Sequence, residues 1–211
     1  MLDDPGGESK AHQGVTTEVT GNCGFSPFPA GKGGGRELQS TLGSILRTNV
    51  EWDWSSLDGW ASRTEAVGTS LNLAPLVGHS ALRLAVGLAE DRPPHPDELD
   101  QMRRLAAESV EWGAFGMSTG LTLAPSMYAT TDEIVGVAEA IAPYDYAFYA
   151  THARVWAGWH LKAIEEAVEV GRRAGVPVQF SHIAIFDPRA YGKGPEMLAV
   201  IERARDEGID V

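Results

Sequence analysis

The sequence predicts an α/β protein built on a parallel sheet, and three observations carry that prediction. Strand-length apolar runs alternate with segments of helical period. The helical segments stop at glycines, namely Gly113, Gly175 and Gly208. The side chains able to do chemistry fall at the ends of the strand-like runs, where parallel α/β proteins gather their sites.

Taken in order, strands are expected near 14–20 (GVTTEVT), 71–77 (LNLAPLV), 114–118 (AFGMS), 146–151 (YAFYAT) and 176–181 (VPVQFS), with the start of another at the final IDV. After the first strand, AGKGGGRE at 30–37 reads as a flexible loop, followed by a region holding Trp52, Trp54 and Trp60. No glycine–lysine pair is followed by Ser or Thr, which excludes a phosphate loop. From Asp97 to Trp112, Leu99, Met102, Leu105, Ala106 and Val110 share one helical face behind an acidic first turn. A further helix is expected near Asp132. Leu161, Ile164, Ala167 and Val168 form another stripe, and Met197, Val200, Ile201 and Ala204 a third. These stripes are read as sheet-facing core.

The chain has 211 residues, 43% of them hydrophobic and 22% charged, a globular composition that shows neither an internal repeat nor a linker. Its net charge of -12 and lack of a basic cluster argue against nucleic acid as a partner. No run of about 18 apolar residues suggests a membrane span, and the N-terminus does not resemble a secretory signal. A cytoplasmic protein without membrane contact is expected. The single cysteine, Cys23, excludes an intramolecular disulfide and leaves a structural, reactive or metal-binding thiol.

Cys23 follows the first strand, His79 the second, Ser118 closes the third, His152 the fourth and His182 the fifth. Whether the sheet is an open one or a barrel, parallel strands bring these ends to one mouth. Cys23, His152 and His182 are too far apart in sequence for a local zinc finger, yet one thiolate and two imidazoles are a known catalytic zinc set with a fourth position open. Taken singly, each has a plainer reading, as a small buried thiol or a hydrogen-bonded imidazole. Their joint placement raises the metal reading to stand level with the structural one. His12, His95 and His160 are read as surface residues.

GMSTG at 116–120 fits the Gly-x-Ser-x-Gly pattern of a serine hydrolase, with Ser118 as nucleophile, Asp145 or Asp187 as acid and His182 as base. Its context is unfavourable, because LTLAPSMYATT after the serine is β-branched and interrupted by proline where an elbow needs a helix. Ser118 and Thr119 are therefore read first as strand-end hydrogen-bonding groups.

Six stretches, QGVTTEVTGNCGFS (13–26), LVGHSALR (76–83), DELDQMRRLAAESVEWGAFGMSTGL (97–121), YATHAR (149–154), GVPVQFSH (175–182) and ARDEGIDV (204–211), resemble the N-acyl-D-amino-acid deacylases, or D-aminoacylases, of the amidohydrolase superfamily. The resemblance implies a partial (β/α)8 TIM-type barrel of the metal-dependent hydrolase kind. It implies Zn2+ held by Cys23, His152 and His182, and an N-acyl amino acid or related small amide as substrate. It also implies that residues 1–211 are a single partial barrel domain. The family's first-strand His-x-His, later strands, small β domain and general-base aspartate have no counterpart here, so no catalytic residue is assigned and the chain alone is expected to be inactive.

Arg154, Ser118 and His79 are the expected substrate-binding residues, with Arg83 either lining the pocket or tying loops. Ala184 stands where D-aminoacylases carry a lysine thought to meet the substrate carboxylate, Leu123 replaces a common tyrosine, and Val155 and Trp156 replace an Asp-Glu pair. These departures leave open another amide, a carbamate or a cyclic imide. A partial barrel also has open edges, so self-association is expected. The alternatives are a serine hydrolase using Ser118 and a non-catalytic metal-binding remnant.

Overall fold

The structure, a computed structural model, describes residues 2–43 and 48–211. In chain order it runs α1 (Glu8–Ala11), β1 (Thr17–Thr20), α2 (Gly34–Leu42), α3 (Leu57–Val67), β2 (Asn72–Pro75), β3 (Val77–Gly78), α4 (His79–Ala85) and α5 (Pro96–Glu111). It continues with β4 (Gly116–Gly120), α6 (Thr131–Glu139), β5 (Phe148–His152), α7 (His160–Ala174), β6 (Val178–Phe180) and α8 (Gly194–Asp206). Short 3-10 turns lie at Ser126–Tyr128 and Pro188–Ala190.

Every strand pair is parallel: β1 with β2, and then β3, β4, β5 and β6 in that order. β2 and β3 are one extended stretch interrupted at Leu76, whose N–H donates to Thr20 O at 2.8 Å, while on the other side Phe115 N–H donates to Pro75 O at 2.8 Å. The run read as one strand at 71–77 thus joins both sheets. Spatial neighbours are consecutive in the chain and connected through helices, as parallel pairing requires. Val178 N–H donates to Asp210 O at 2.8 Å, so the final IDV begins to pair along β6.

The helix ends follow local rules. Pro96 opens α5, and His95 N–H donates to Glu98 Oε2 at 2.7 Å. Thr130 Oγ1 caps α6 by accepting from Glu133 N–H at 3.2 Å. Gly175, at φ 71°, ends α7 in the left-handed region. The predicted stripes are buried: Met102, Ala106 and Val110 of α5 pack with Val77, Met117 and Tyr149 of the strands. Ile164 and Val168 of α7 pack against Met197, Val200 and Ala204 of α8 in a second cluster. Each fully buried Val, Ile or Met side chain among these contributes roughly 1.5–3 kcal/mol.

Two expectations are corrected. The 30–37 segment is not a loop throughout, because α2 starts at Gly34. Glycine is a poor helix former, but Leu38 and Leu42 bury against the core that holds Trp52 and Trp54. A Cβ on Gly35 would stand 2.2 Å from Trp54 O, so only glycine permits this approach. His160, expected on the surface, is half-buried at the start of α7, with both ring nitrogens shielded from solvent. His12 and His95 are exposed.

Candidate metal centre

Cys23, His152 and His182 come together at the carboxyl ends of β1, β5 and β6, His152 as the last residue of β5 and the other two just past their strands, and their donor atoms all lie within 4.8 Å of one another. Cys23 Sγ is 3.8 Å from His152 Nδ1 and 3.7 Å from His182 Nε2, and the two nitrogens are 2.6 Å apart. Among the described residues no carboxylate joins this group. His152 Nε2 is 2.7 Å from Thr122 Oγ1. Cys23 and His152 are half-buried and His182 is exposed. Burial pushes the Cys23 thiol pKa up, and burial followed by the neighbouring His182 pushes His152 down. Both shifts disfavour charge on these side chains in the metal-free chain.

The backbone beneath two of the three is unusual. Among the described residues, Cys23 (φ 55°) and His182 (φ 34°) are the only non-glycine residues with positive φ. Such conformations cost on the order of 1–3 kcal/mol each and persist only where surrounding structure enforces them. At Cys23 the enforcement is visible. Ser118 Oγ accepts from Gly24 N–H at 3.0 Å and donates to Gly21 O, while Ser80 N–H donates to Gly24 O at 2.9 Å. A Cβ on Gly120 would stand 2.1 Å from Cys23 O, so this glycine lets the turn lie against β4.

That geometry replaces the nucleophile-elbow reading of GMSTG. The segment is a fully buried strand, and both partners of the Ser118 hydroxyl are backbone groups of the Cys23 turn. Thr119 bonds Tyr149 OH at 2.8 Å and Thr151 Oγ1 at 2.9 Å inside the sheet, where burial pushes the Tyr149 pKa up to about 12.

The three expected substrate-binding residues are each engaged by protein groups in this structure. Ser118 and His79 are 0% exposed. His79 Nδ1 lies 2.7 Å from Ser126 Oγ, and its Nε2 lies 3.1 Å from Glu133 Oε1. Arg83 takes the loop-tying alternative: its guanidinium grips both Glu133 oxygens at 2.8 and 2.9 Å and donates to Glu90 O and Arg92 O. Arg154 pairs with Glu166 at 3.0 Å and donates to Met127 O and Ala129 O. Sequence reasoning missed Thr122, Ser126 and Glu133. Thr122, two residues past β4, carried the same strand-end signal as the ligand candidates.

Parallel crossovers with a Cys–His–His cluster at the carboxyl ends of three strands define an α/β protein with a donor set suited to a metal. No family model matches the chain. Known proteins do. N-acyl-D-aspartate deacylase of Alcaligenes xylosoxydans xylosoxydans is 36% identical over 195 residues, 92% of this chain and 38% of the relative. D-aminoacylase of the same organism is 35% identical over 195 residues, again 92% of this chain and 39% of the relative. The crystal structure of N-acyl-D-glutamate deacylase from Bordetella bronchiseptica, complexed with zinc and a phosphonate inhibitor, superposes with a TM-score of 0.88 at 31% identity, covering 100% of this chain and 44% of that one. This chain is therefore similar in sequence and fold to N-acyl-D-amino-acid deacylases, and it spans about two fifths of the length of these relatives.

Proposed function

We propose that this chain is the zinc-binding part of an amidohydrolase that cleaves the amide C–N bond of an N-acyl-D-amino acid, and that residues 1–211 form a single partial (β/α)8 barrel domain. The observation that carries the reading is the convergence of Cys23, His152 and His182 from three separate strands. The consecutive, all-parallel strand order supports the barrel.

The donor set fits zinc. Tetrahedral zinc with Zn–S near 2.3 Å and Zn–N near 2.0–2.1 Å needs S···N and N···N separations of about 3.3–3.6 Å. Both sulfur–nitrogen distances are close to this, and the imidazoles need only part by less than about 1 Å. Cys23 Sγ, His152 Nδ1 and His182 Nε2 would hold the ion. When bound, zinc supplies a Lewis acid for the amide carbonyl and lowers the pKa of water. The chain's own residues fix the donors: Ser118 and Gly120 hold the Cys23 turn, and β5 fixes His152. No carboxylate of the cluster is available to move a proton, and Arg154 is neutralised by Glu166, so neither the general base nor a cation for the substrate carboxylate comes from these residues.

Zinc without turnover is the expected result. The purified chain should hold about one zinc, Cys23→Ala should lose most of it, and amine release from N-acyl-D-amino acids should stay near background. Metal analysis and an amine-release assay on one preparation check both parts. A metal-free wild-type chain overturns the site; zinc-dependent turnover at about 1–10³ s⁻¹ overturns its inactivity.

The cavity of about 570 Å³ beside β6, lined by Phe148, Phe180, Ile183, Leu198 and Val211, supports self-association of two copies across this open side of the sheet, beyond the residues 209–211 that begin to pair with β6. Gel filtration should show a dimer or larger species, and a monomer at all concentrations overturns that part.

A further inference from the structure

We infer that Thr122 is a positioning residue for the metal centre: its hydroxyl accepts the Nε2–H of His152 and so turns the Nδ1 lone pair toward Cys23 and His182. The inference rests on the metal-centre reading above. A metal-bound Nδ1 requires the proton on Nε2, and in a half-buried ring that proton needs an acceptor. Thr122 Oγ1 stands 2.7 Å from Nε2, on the side of the ring opposite the Cys23 sulfur. Its two lone pairs suit it to accept.

Thr122 is itself held in place. Leu121 N–H donates to His152 O at 2.8 Å, so the segment after β4 runs beside the residue it orients. Further along the same connection, Ser126 is fixed by His79 at 2.7 Å, and Met127 O and Ala129 O accept from Arg154. The buried Arg83–Glu133–His79 group thus anchors the loop whose near end carries Thr122. The loop between β4 and α6 serves the metal centre without supplying a ligand to it.

The test compares wild type, Thr122→Val and Thr122→Ser as full chains. Zn2+ affinity is measured by competition with a chromophoric chelator, and the protonation of the His152 ring by nitrogen NMR of the metal-free proteins. Thr122→Val should bind Zn2+ roughly 10- to 100-fold more weakly, Thr122→Ser should recover most of the loss, and far-ultraviolet circular dichroism should be the same for all three. The metal-free wild type should carry its His152 proton on Nε2, and Thr122→Val should shift that population toward Nδ1. Unchanged zinc affinity in Thr122→Val overturns the inference and leaves the metal centre standing. If wild type binds no zinc, the metal-centre reading fails, and the ring spectra decide separately: a proton population that Thr122→Val does not move overturns the role of Thr122.

Discussion

The two left-handed turns that present donors, at Cys23 and at His182, are supported very differently. The Cys23 turn is bound by the buried hydroxyl of Ser118, by Ser80 N–H and by the close approach of Gly120. His182 is exposed, and the turn next to it is tied to the sheet through Ser181 N–H on Thr151 O at 2.9 Å. The segment that follows carries Phe186 at 63% and Tyr191 at 66% exposure, with Asp187 paired to its near neighbour Arg189. Two of the three donors, Cys23 on its braced turn and His152 at the end of β5, are thus preformed by the packed sheet. The third, His182, stands on a surface loop whose geometry an ion would complete, which is where low local stability is expected.

The largest effect should come from Glu133, which pairs with Arg83 and with His79, the neighbour of the Ser80 whose N–H holds Gly24 O. Burial alone would raise its pKa, but His79 and Arg83 outweigh burial and hold the carboxylate below its ordinary 4.5. A carboxylate depressed in the folded state contributes stability above its unfolded pKa and loses it as pH falls through the folded value. Stability should therefore drop below about pH 4.5. Glu133→Gln leaves Arg83 buried without its charge partner and should cost about 3–5 kcal/mol at neutral pH while flattening that acid limb. Denaturant melts across pH check both, and an acid limb unchanged in Glu133→Gln would show that the Arg83–Glu133–His79 group does not carry the acid sensitivity.

A smaller effect is expected from a matched pair. Ser118→Ala strands a buried carbonyl and N–H of the Cys23 turn and should cost about 1–3 kcal/mol, lowering Tm by roughly 2–4 °C per kcal/mol. Tyr191→Ala on the exposed His182 side, where the ring is 66% exposed, should stay within about 0.5 kcal/mol. Equal losses would erase the contrast. An active-site serine probe should leave the wild type unlabelled, since Ser118 is 0% exposed.

The strand runs, the stripes on α5, α7 and α8, and the glycine stops were legible because each is a local pattern of two to four residues' spacing. So was the set of residues at strand ends, since alternation alone places them at one mouth. Three features escaped. α2 contradicts its own glycine-rich propensity and forms because Leu38 and Leu42 find a buried surface near Trp52 and Trp54. His79, Arg83 and Arg154 resemble pocket residues in sequence, yet their partners Ser126, Glu133 and Glu166 lie on other elements, up to 50 residues away. Thr122 gained meaning only once β4 and β5 were paired, with Gly120 opposite His152.

The sequence by itself determined the parallel α/β class and offered Cys23, His152 and His182 as side chains at strand ends, because hydrophobic period and residue chemistry are properties of the chain. Tertiary structure decided which polar groups face the mouth and which are consumed in holding it. That choice depends on where a hydroxyl, a guanidinium or an imidazole finds a partner once solvent is removed, and a buried polar group takes whatever partner the packed neighbours present. Ser118 went to the Cys23 turn and Arg154 to Glu166, leaving Cys23, His152 and His182 facing one another at the mouth.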